Sequence, residues 1–267
     1  MARNTAREIY VKKFLEENPF LIPPATDLEV EKRESYLHAE LVFPDAVPPA
    51  SPAWKTDPGR YAILSSGGKE SLLSHGLLTE LGLETHPIFV NESGRHWFTA
   101  LKAYRHFAAE VPETGRVWTS SDRVFSWMLR HLPFIRPDFD DVRSDEYPIR
   151  LWTVAVFLFG ALPLLRKRGI GRVVIGDEHD TTARGEHKGI PHYNGLYDQS
   201  LWFDAALTRY FMRKGWGINQ FSILRPLSEL LIEKVLVLLR EGKPARFLEI
   251  SPEDEADFRA LQLLTAK

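Results

Sequence analysis

The chain contains no cysteine among its 267 residues. Disulfides, thiolate metal sites and sulfur transfer through a cysteine persulfide are therefore excluded as chemistry for this protein. Strong charge of either sign is also missing, since the formal net charge is −2. That balance argues against broad attraction to nucleic acid, although it leaves local patches possible. An apolar fraction of 44% is ordinary for a globular protein and is enough for a sizeable core.

Long hydrophobic runs are nearly absent. The exception is residues 151–165, which are apolar all round but too short to span a bilayer comfortably, with Pro163 near the end. We interpret this run as a helix buried against a sheet. Residues 1–20 mix charged and apolar positions and show no signal-peptide pattern, so we expect a cytoplasmic protein with no membrane partner.

The chain divides into a small N-terminal extension and one larger domain. Helical spacing covers residues 4–17, and alternation over residues 36–43 predicts a strand. A proline-rich connector follows at residues 44–58. We therefore predict an extension with its linker at residues 1–58 and an α/β domain at residues 59–267.

The larger domain alternates strands and helices, which predicts a mostly parallel sheet of about five strands with helices on both faces. The carboxyl ends of parallel strands lie on one rim, where ligands bind. Predicted strands fall at residues 61–65, 85–90, 116–119, 172–176 and 220–223, and predicted helices at residues 71–81, 95–109, 122–132, 148–167, 198–213, 228–240 and 252–265.

The most informative segment is the turn after the first of these strands, with the sequence Ser65-Ser66-Gly67-Gly68-Lys69-Glu70-Ser71. Two adjacent glycines let the backbone turn tightly and present N–H groups to an anion. The helix that follows adds partial positive charge, Lys69 adds a full charge, and the serine hydroxyls add neutral donors. The turn therefore predicts a polyphosphate site. The alternative is a glycine-rich turn without a ligand.

Three further segments fall on the same rim. Asp177, Glu178 and His179 follow an apolar strand, where the carboxylates could hold Mg²⁺ and the histidine could move a proton. Residues 184–195 form a long polar stretch that we interpret as a mobile loop closing over an anionic substrate. Arg225 precedes a helix and could clamp a phosphate or carboxylate. Each segment has a plainer alternative: a solvated turn, a surface loop and a surface arginine.

The turn resembles the PP-loop of the ATP pyrophosphatase family, whose pattern is Ser-Gly-Gly-x-Asp-Ser. Ser66, Gly67, Gly68 and Ser71 match the pattern, while Glu70 replaces the aspartate. The resemblance implies a HUP-like, Rossmann-related fold with ATP and Mg²⁺ as cofactors. It also implies that the nucleotide contacts Ser65, Ser66, Gly67, Gly68, Lys69 and Ser71, with Phe89 and Val90 bordering the adenine.

A longer pattern is similar to MurL-type UDP-N-acetylmuramoyl-L-alanyl-L-glutamate epimerases. It consists of Gly176-x-Glu178, Tyr193-Asn194-Gly195, Gln199-Ser200-x-x-Phe203 and the segment from Leu224 to Leu230. Asp177 stands where that pattern has asparagine. The resemblance implies adenylation of a substrate carboxylate with release of pyrophosphate, then inversion at the neighbouring carbon. Lys69, Glu178, His179 and Arg225 would be catalytic, and Asp177 and Glu178 would hold the metal.

The resemblance implies a small anionic, carboxylate-bearing substrate, and the net charge of −2 makes nucleic acid an unlikely partner. Lys188 or Arg225 would orient that substrate, and His192 is a further candidate for the proton exchange. The alternatives are a PP-loop tRNA-modifying enzyme, a nucleotide-binding module without catalysis, and an electron-transfer or stress-type protein of the same superfold. The absence of cysteine counts against tRNA thiolation.

Overall fold

The computed structural model describes residues 2–40, 42, 52–93, 96–142, 148–149 and 153–240. The charged helix predicted at residues 252–265 and most of the proline-rich connector lie outside these residues. Within them, no helix has the length and apolar character needed to cross a membrane.

A five-stranded parallel sheet forms the centre of the molecule, with the order β3-β2-β1-β4-β7. A separate antiparallel hairpin is formed by β5 and β6. The α/β fold class predicted from the sequence is confirmed. The strands are β1 Asp57–Ser65, β2 Glu84–Asn91, β3 Gly115–Trp118, β4 Ile170–Val174, β5 Arg184–His187, β6 Ile190–Tyr193 and β7 Asn219–Phe221.

Helices cover both faces of the sheet. The α-helices of the described residues are α1 Ala2–Ile9, α2 Lys69–Glu80, α3 His96–Glu110, α4 Ser121–His131, α5 Phe139–Val142, α6 Thr153–Arg168, α7 His179–Thr182, α8 Leu201–Arg213 and α9 Glu229–Arg240. On one face, α6 and α8 bury Leu158 and Phe211 against Leu64 and Val173 of the sheet. On the other face lie α2, α3 and α9. The run predicted as a buried helix is α6, as far as it is described.

The chain reverses direction across the sheet between β1 and β4. From β1 it moves outward through β2 to β3, then returns through α6 to place β4 on the other side of β1. A crevice therefore opens beyond the carboxyl ends of these two strands, which is where open α/β sheets bind ligands.

The N-terminal extension packs onto this domain. Phe20 and Leu21 join Leu129 of α4 and Phe139 of α5 in a separate apolar cluster. The buried carboxylate of Glu8 accepts a hydrogen bond of 3.0 Å from the backbone N–H of Tyr193 in the hairpin. The first residues of the chain therefore connect two distant parts of the domain.

The strand predicted at residues 36–43 is wrong over the part that the structure describes, residues 36–40 and 42, which are irregular. The hydroxyl of Tyr36 instead donates to the carbonyl of Glu31 and accepts from the N–H of Arg33, while its ring stacks on Tyr10 at 4.4 Å. These local bonds stabilise a turn in place of an extended strand.

The mobile loop expected at residues 184–195 is also wrong, because the chain forms the β5–β6 hairpin there. Its two turn residues, Lys188 and Gly189, have φ of 49° and 82°. Positive φ at both central residues matches the right-handed twist of the flanking strands, so a two-residue turn closes the hairpin.

Candidate functional site

The glycine turn between β1 and α2 is held in shape by its own serines. Ser65 Oγ lies 2.8 Å from Ser71 Oγ and accepts the N–H of Gly67 at 3.0 Å, while Ser71 Oγ donates to the carbonyl of Gly68 at 2.8 Å. Ser65 and Ser71 are buried. These two serines therefore stabilise the turn itself. The donors that remain for a ligand are the backbone N–H groups and the hydroxyl of Ser66.

Gly67 is required by both conformation and space. Its φ is +82°, and a Cβ there would lie 2.8 Å from the Cα of Ala100 on α3. No side chain caps the N-terminus of α2, whose N-cap residue is Gly68. The first N–H groups of this twelve-residue helix are therefore oriented toward the rim without a side-chain acceptor.

A second glycine, Gly176, brings the end of β4 against this turn. A Cβ on Gly176 would lie 2.5 Å from the Cβ of Glu70 and 3.3 Å from the backbone nitrogen of Ser71. The acidic segment that begins at Asp177 is consequently held next to the start of α2. The sequence suggested this only indirectly, through a glycine directly after an apolar strand.

A cleft of about 520 Å³ occupies the crevice between β1 and β4. One part of its wall is apolar and includes Phe125, Val154 and Phe157, while the turn and the acidic segment form the polar part. The lining residues are Leu64, Ser66, Gly68, Glu70, Ser71, Glu92, Phe125, Ile149, Thr153, Val154, Phe157, Ile175, Gly176, Asp177, Glu178, Leu196, Asp198, Gln199 and Glu229.

The cleft is strongly acidic. Six carboxylates line it, and none of the described lining residues is lysine or arginine. Burial raises the pKa of Glu178 and of Asp198 above their ordinary values, because the charged forms are poorly solvated there. Within the described part of the chain, no group of three or more histidine, aspartate or glutamate side chains has the arrangement of a metal site.

Lys69 is held beside the cleft by carboxylates. Its ammonium group lies 3.2 Å from Glu70 and 3.4 Å from Glu233, and it donates a short hydrogen bond to Glu229. That hydrogen bond is the main reason why the pKa of Lys69 rises above its ordinary value. The lysine predicted to contact phosphate is thus fully charged, and it is paired with α9.

Arg225 lies in a buried hydrogen-bond network. Its guanidinium donates to Asp204 at 2.8 Å, to Asp177 at 3.3 Å, and to the hydroxyls of Thr181 and Thr182 at 2.8 and 2.9 Å. A further bond of 2.6 Å reaches the carbonyl of Gln199. These acceptors engage its donors, and the predicted contact of Arg225 with substrate stays a prediction.

Asp177, Glu178 and His179, which were predicted to hold a metal and to transfer a proton, have different surroundings in the structure. Asp177 is buried and ion-paired with Arg225, and burial raises its pKa well above the ordinary value. Glu178 lines the cleft. His179 begins α7, with its ring 3.7 Å from Asp180, and it is not among the described residues of the cleft wall. Of these three predicted residues, Asp177 and Glu178 line the cleft, and the carboxyl group of Asp177 is engaged by Arg225.

Phe89 and Val90 do not border the cleft. The side chain of Phe89 is completely buried and packs against Tyr104 and Phe107 of α3. The prediction that Phe89 or Val90 lies against adenine gains no support from this placement and stays a prediction, because alternate residues of β2 face the helices on either side of the sheet. The wall residues Phe125 and Phe157 offer aromatic surface instead.

Two carboxylates of the wall were missed from the sequence. Glu92 follows the last residue of β2, so an acidic residue directly after a strand was a usable signal. Asp198 is buried, and its Oδ2 accepts the N–H of Val154 at 3.0 Å at the start of α6. This bond joins residues 44 positions apart, and no local pattern predicts it.

Comparisons with known proteins give little beyond the fold. No protein-family model matches the chain, and no curated protein matches it. Among solved structures, the chain is similar to a predicted subunit of tRNA methyltransferase from Methanocaldococcus jannaschii DSM, with 16% identity and a TM-score of 0.37. The match covers 70% of this chain and 90% of that one. The five-stranded parallel sheet with helices on both faces is consistent with a Rossmann or HUP-like fold.

Proposed function

We infer that the cleft binds ATP with its outer phosphates on the turn at residues 66–71. The observation that carries this proposal is the uncapped N-terminus of α2, which Gly67 and Gly176 hold at the crevice between β1 and β4. Backbone N–H groups at such a terminus bind phosphate well, because the helix dipole adds to their hydrogen bonds.

The apolar wall suits the nucleoside. Phe125 and Phe157 lie on the same cleft as the turn, and the volume of about 520 Å³ is in the range of nucleotide-sized ligands. A flat adenine ring gains free energy from an aromatic surface of this kind. We therefore assign the adenine to this wall in place of β2.

Six carboxylates in the cleft would repel a polyphosphate unless a cation accompanies it. Mg²⁺ is usually held by one or two carboxylates together with phosphate oxygens, so a complete protein cage is not needed. Glu178 is the carboxylate that fits this role, since Asp177 is engaged by Arg225. When bound, Mg²⁺ would neutralise charge on the pyrophosphate.

The proposed reaction is adenylation. The acceptor oxygen attacks the α-phosphorus of ATP, the bond from that phosphorus to the bridging oxygen breaks, and pyrophosphate leaves onto the turn. Lys69 exchanges Glu229 for the departing pyrophosphate. Catalysis in such a site comes mainly from positioning and from charge stabilisation.

We propose a carboxylate as the acceptor, as in the epimerases that the sequence resembles. Since Glu178 is assigned to Mg²⁺, proton exchange at the neighbouring carbon is left to His179 or His192, the other candidates from the sequence. Lys188 lies at the tip of the hairpin and Arg225 is engaged, so neither supports binding of an anionic acceptor. An RNA acceptor, as in PP-loop tRNA-modifying enzymes, is the second candidate, and it is favoured by a surface described below.

Product analysis tests this proposal. The protein is incubated with ATP and Mg²⁺, with and without carboxylate acceptors that include UDP-linked muramoyl peptides, and the nucleotide products are separated. AMP with pyrophosphate is expected, and Lys69→Ala should lower its formation. ADP with phosphate, or an unchanged rate in Lys69→Ala, would contradict the proposed reaction.

A matched pair of glycine variants tests the turn itself. Gly67 and Gly189 both have φ of +82°, but a Cβ on Gly189 would meet nothing within 4 Å. Both variants to alanine take a similar conformational strain of about 1–2 kcal/mol. Weakened ATP binding is expected in Gly67→Ala alone, and equal effects in both variants would remove the turn from the site.

A further inference from the structure

A second pocket, of about 370 Å³, lies beyond the ends of β2 and β3. Its wall is formed by Asn91, Ser93, Trp97, Phe98, Trp118, Asp122 and Arg123. It shares the turn after β2 with the ATP cleft, since Glu92 lines the cleft and Ser93 lines this pocket. The pocket is not used by the proposed adenylation.

Two exposed aromatic rings line this pocket, and a third lies one helical turn away. Phe98 is 77% exposed and Trp118 is 64% exposed, and Trp127, which follows the lining residue Arg123 by four positions on α4, is 63% exposed. A group of exposed tryptophan and phenylalanine side chains on one side of a protein indicates a binding surface, whereas single exposed rings need no such explanation.

Hydrogen bonds through Ser93, in the turn after β2, fix the orientation of the Trp118 indole ring. Its indole N–H donates to the hydroxyl of Ser93, and that hydroxyl donates to the carbonyl of Thr119 at 2.6 Å. Ser93 has a φ of +66°, which is unfavourable for a residue with a side chain, and the amide oxygen of Asn91 holds it by accepting its N–H at 2.8 Å. Strain of this kind is typical of functional positions.

Positive charge is interleaved with these rings. The guanidinium of Arg116 lies between 5.3 and 5.6 Å from the ring centres of Trp97, Tyr104 and Trp118. Lys102 and Arg105 follow Phe98 by four and seven residues on α3 and therefore share its side of the helix. Within the described part of the chain, Lys102, Arg105 and Arg123 form no ion pair.

We propose that this aromatic–basic surface, formed by Trp97, Phe98, Lys102, Arg105, Arg116, Trp118, Arg123 and Trp127, binds single-stranded nucleic acid. Flat rings that are exposed and held in place accept bases of any sequence by stacking, while arginine and lysine contact the phosphates. The combination distinguishes this surface from an ordinary apolar protein contact, which is depleted in lysine. The overall charge of −2 hides this local patch.

Fluorescence anisotropy with labelled 12-nucleotide oligouridine and oligoadenosine tests the proposal, with the full chain at low salt and without ATP. Both strands should bind. Phe98→Ala and Trp118→Ala should each weaken binding about fivefold or more. Trp118→Phe should keep most of the affinity, since it retains a ring.

The matched control is Trp202→Ala. Trp202 is 46% exposed, but it lies on α8, which packs on β7 at the opposite edge of the sheet from β3, so its removal should leave binding unchanged. Lys102→Ala with Arg105→Ala should make binding less dependent on salt, by about 0.7 in the logarithmic slope for each phosphate left without a cationic partner.

Three results would overturn the proposal: no binding of either strand, equal binding by Phe98→Ala and wild type, or competition by free UMP and AMP as effective as that by the 12-nucleotide strands. Melting temperatures close to that of the wild type should accompany Phe98→Ala, because this side chain is mostly exposed. Since ATP is absent, failure here is distinct from failure of the adenylation proposal.

Discussion

Lys69 reaches a polyphosphate only after leaving the carboxylates of α9, and this competition gives the sharpest prediction. Glu229→Gln removes the closest of the three carboxylates and keeps the shape of the side chain. The lysine then has one competitor fewer for phosphate, so ATP affinity should increase. Glu233→Gln should act in the same direction but more weakly, because its carboxylate lies 3.4 Å from the ammonium group.

The size of the effect follows from exposure. Glu229 and Glu233 are 50% and 57% exposed, and Lys69 is 29% exposed, so solvent screens these pairs. Partly exposed ion pairs are worth about 0.2–1 kcal/mol each. Loss of the Glu229 pair should therefore tighten ATP binding by up to about fivefold. The free energy of unfolding should fall by no more than about 1 kcal/mol.

Isothermal titration calorimetry with ATP and Mg²⁺ measures the affinity, and two controls isolate the cause. Glu84→Gln removes one negative charge at the start of β2, at the opposite end of the sheet, and should leave affinity unchanged. The second control is the same Glu229→Gln change in a Lys69→Met background. A gain in affinity that comes from release of Lys69 disappears in this background, whereas a gain that comes from lost repulsion between Glu229 and the nucleotide remains.

The reasoning is refuted if Glu229→Gln binds ATP no more tightly than the wild type. It is also refuted if the gain persists in full without Lys69, because the carboxylate would then act on the nucleotide directly.

Three further predictions concern the supports of the cleft. Arg225→Ala should lower the free energy of unfolding by about 3–5 kcal/mol, because it leaves the buried carboxyl groups of Asp177 and Asp204 without their cationic partner. Arg225→Lys should not restore that stability, because lysine lacks the planar guanidinium. Urea titration measures both effects. Burial raises the pKa of Asp177, so at pH values between its ordinary and its raised pKa the folded state holds a proton that the unfolded state releases. Its contribution to stability is present below the ordinary pKa and is lost as pH rises through the raised pKa. Asp177→Asn should therefore flatten the decline in melting temperature with rising pH, and an unchanged profile would contradict this. Gly176→Ala should cost about 1–3 kcal/mol and weaken ATP binding, because its Cβ would overlap Glu70, whereas Gly82→Ala, which meets nothing within 4 Å, should leave ATP binding intact.

The sheet could be predicted from the sequence because strands such as β1, β2 and β4 are short, largely apolar runs that alternate with helical segments. The observed bounds of β1, β2 and α2 differ from the predicted bounds by a few residues. The hairpin at residues 184–193 was missed, although the Lys188-Gly189 pair is compatible with a tight turn.

The candidate site was predictable only where its residues are consecutive. The glycine turn and Asp177-Glu178 could be recognised as local patterns. The engagement of Arg225 by Asp204 joins residues 21 positions apart, and the pairing of Lys69 with Glu229 joins residues 160 positions apart. Such long-range pairings are decided by how the chain packs. From the sequence alone, the same arginine and lysine are equally compatible with unpaired side chains that bind a substrate.

The connection that the first residues make between the hairpin and α4 has a practical consequence for how the protein is prepared. Deleting residues 1–28 would remove Phe20, Leu21 and Ala25 from the apolar cluster that contains Leu129 and Phe139, and would leave the N–H of Tyr193 without its acceptor. Shortened versions should aggregate or lose their cooperative melting, and a bulky fusion at the amino end would press on the same region. A tag for purification or surface attachment belongs elsewhere, and the exposed tip of the hairpin at Gly189 offers one such position.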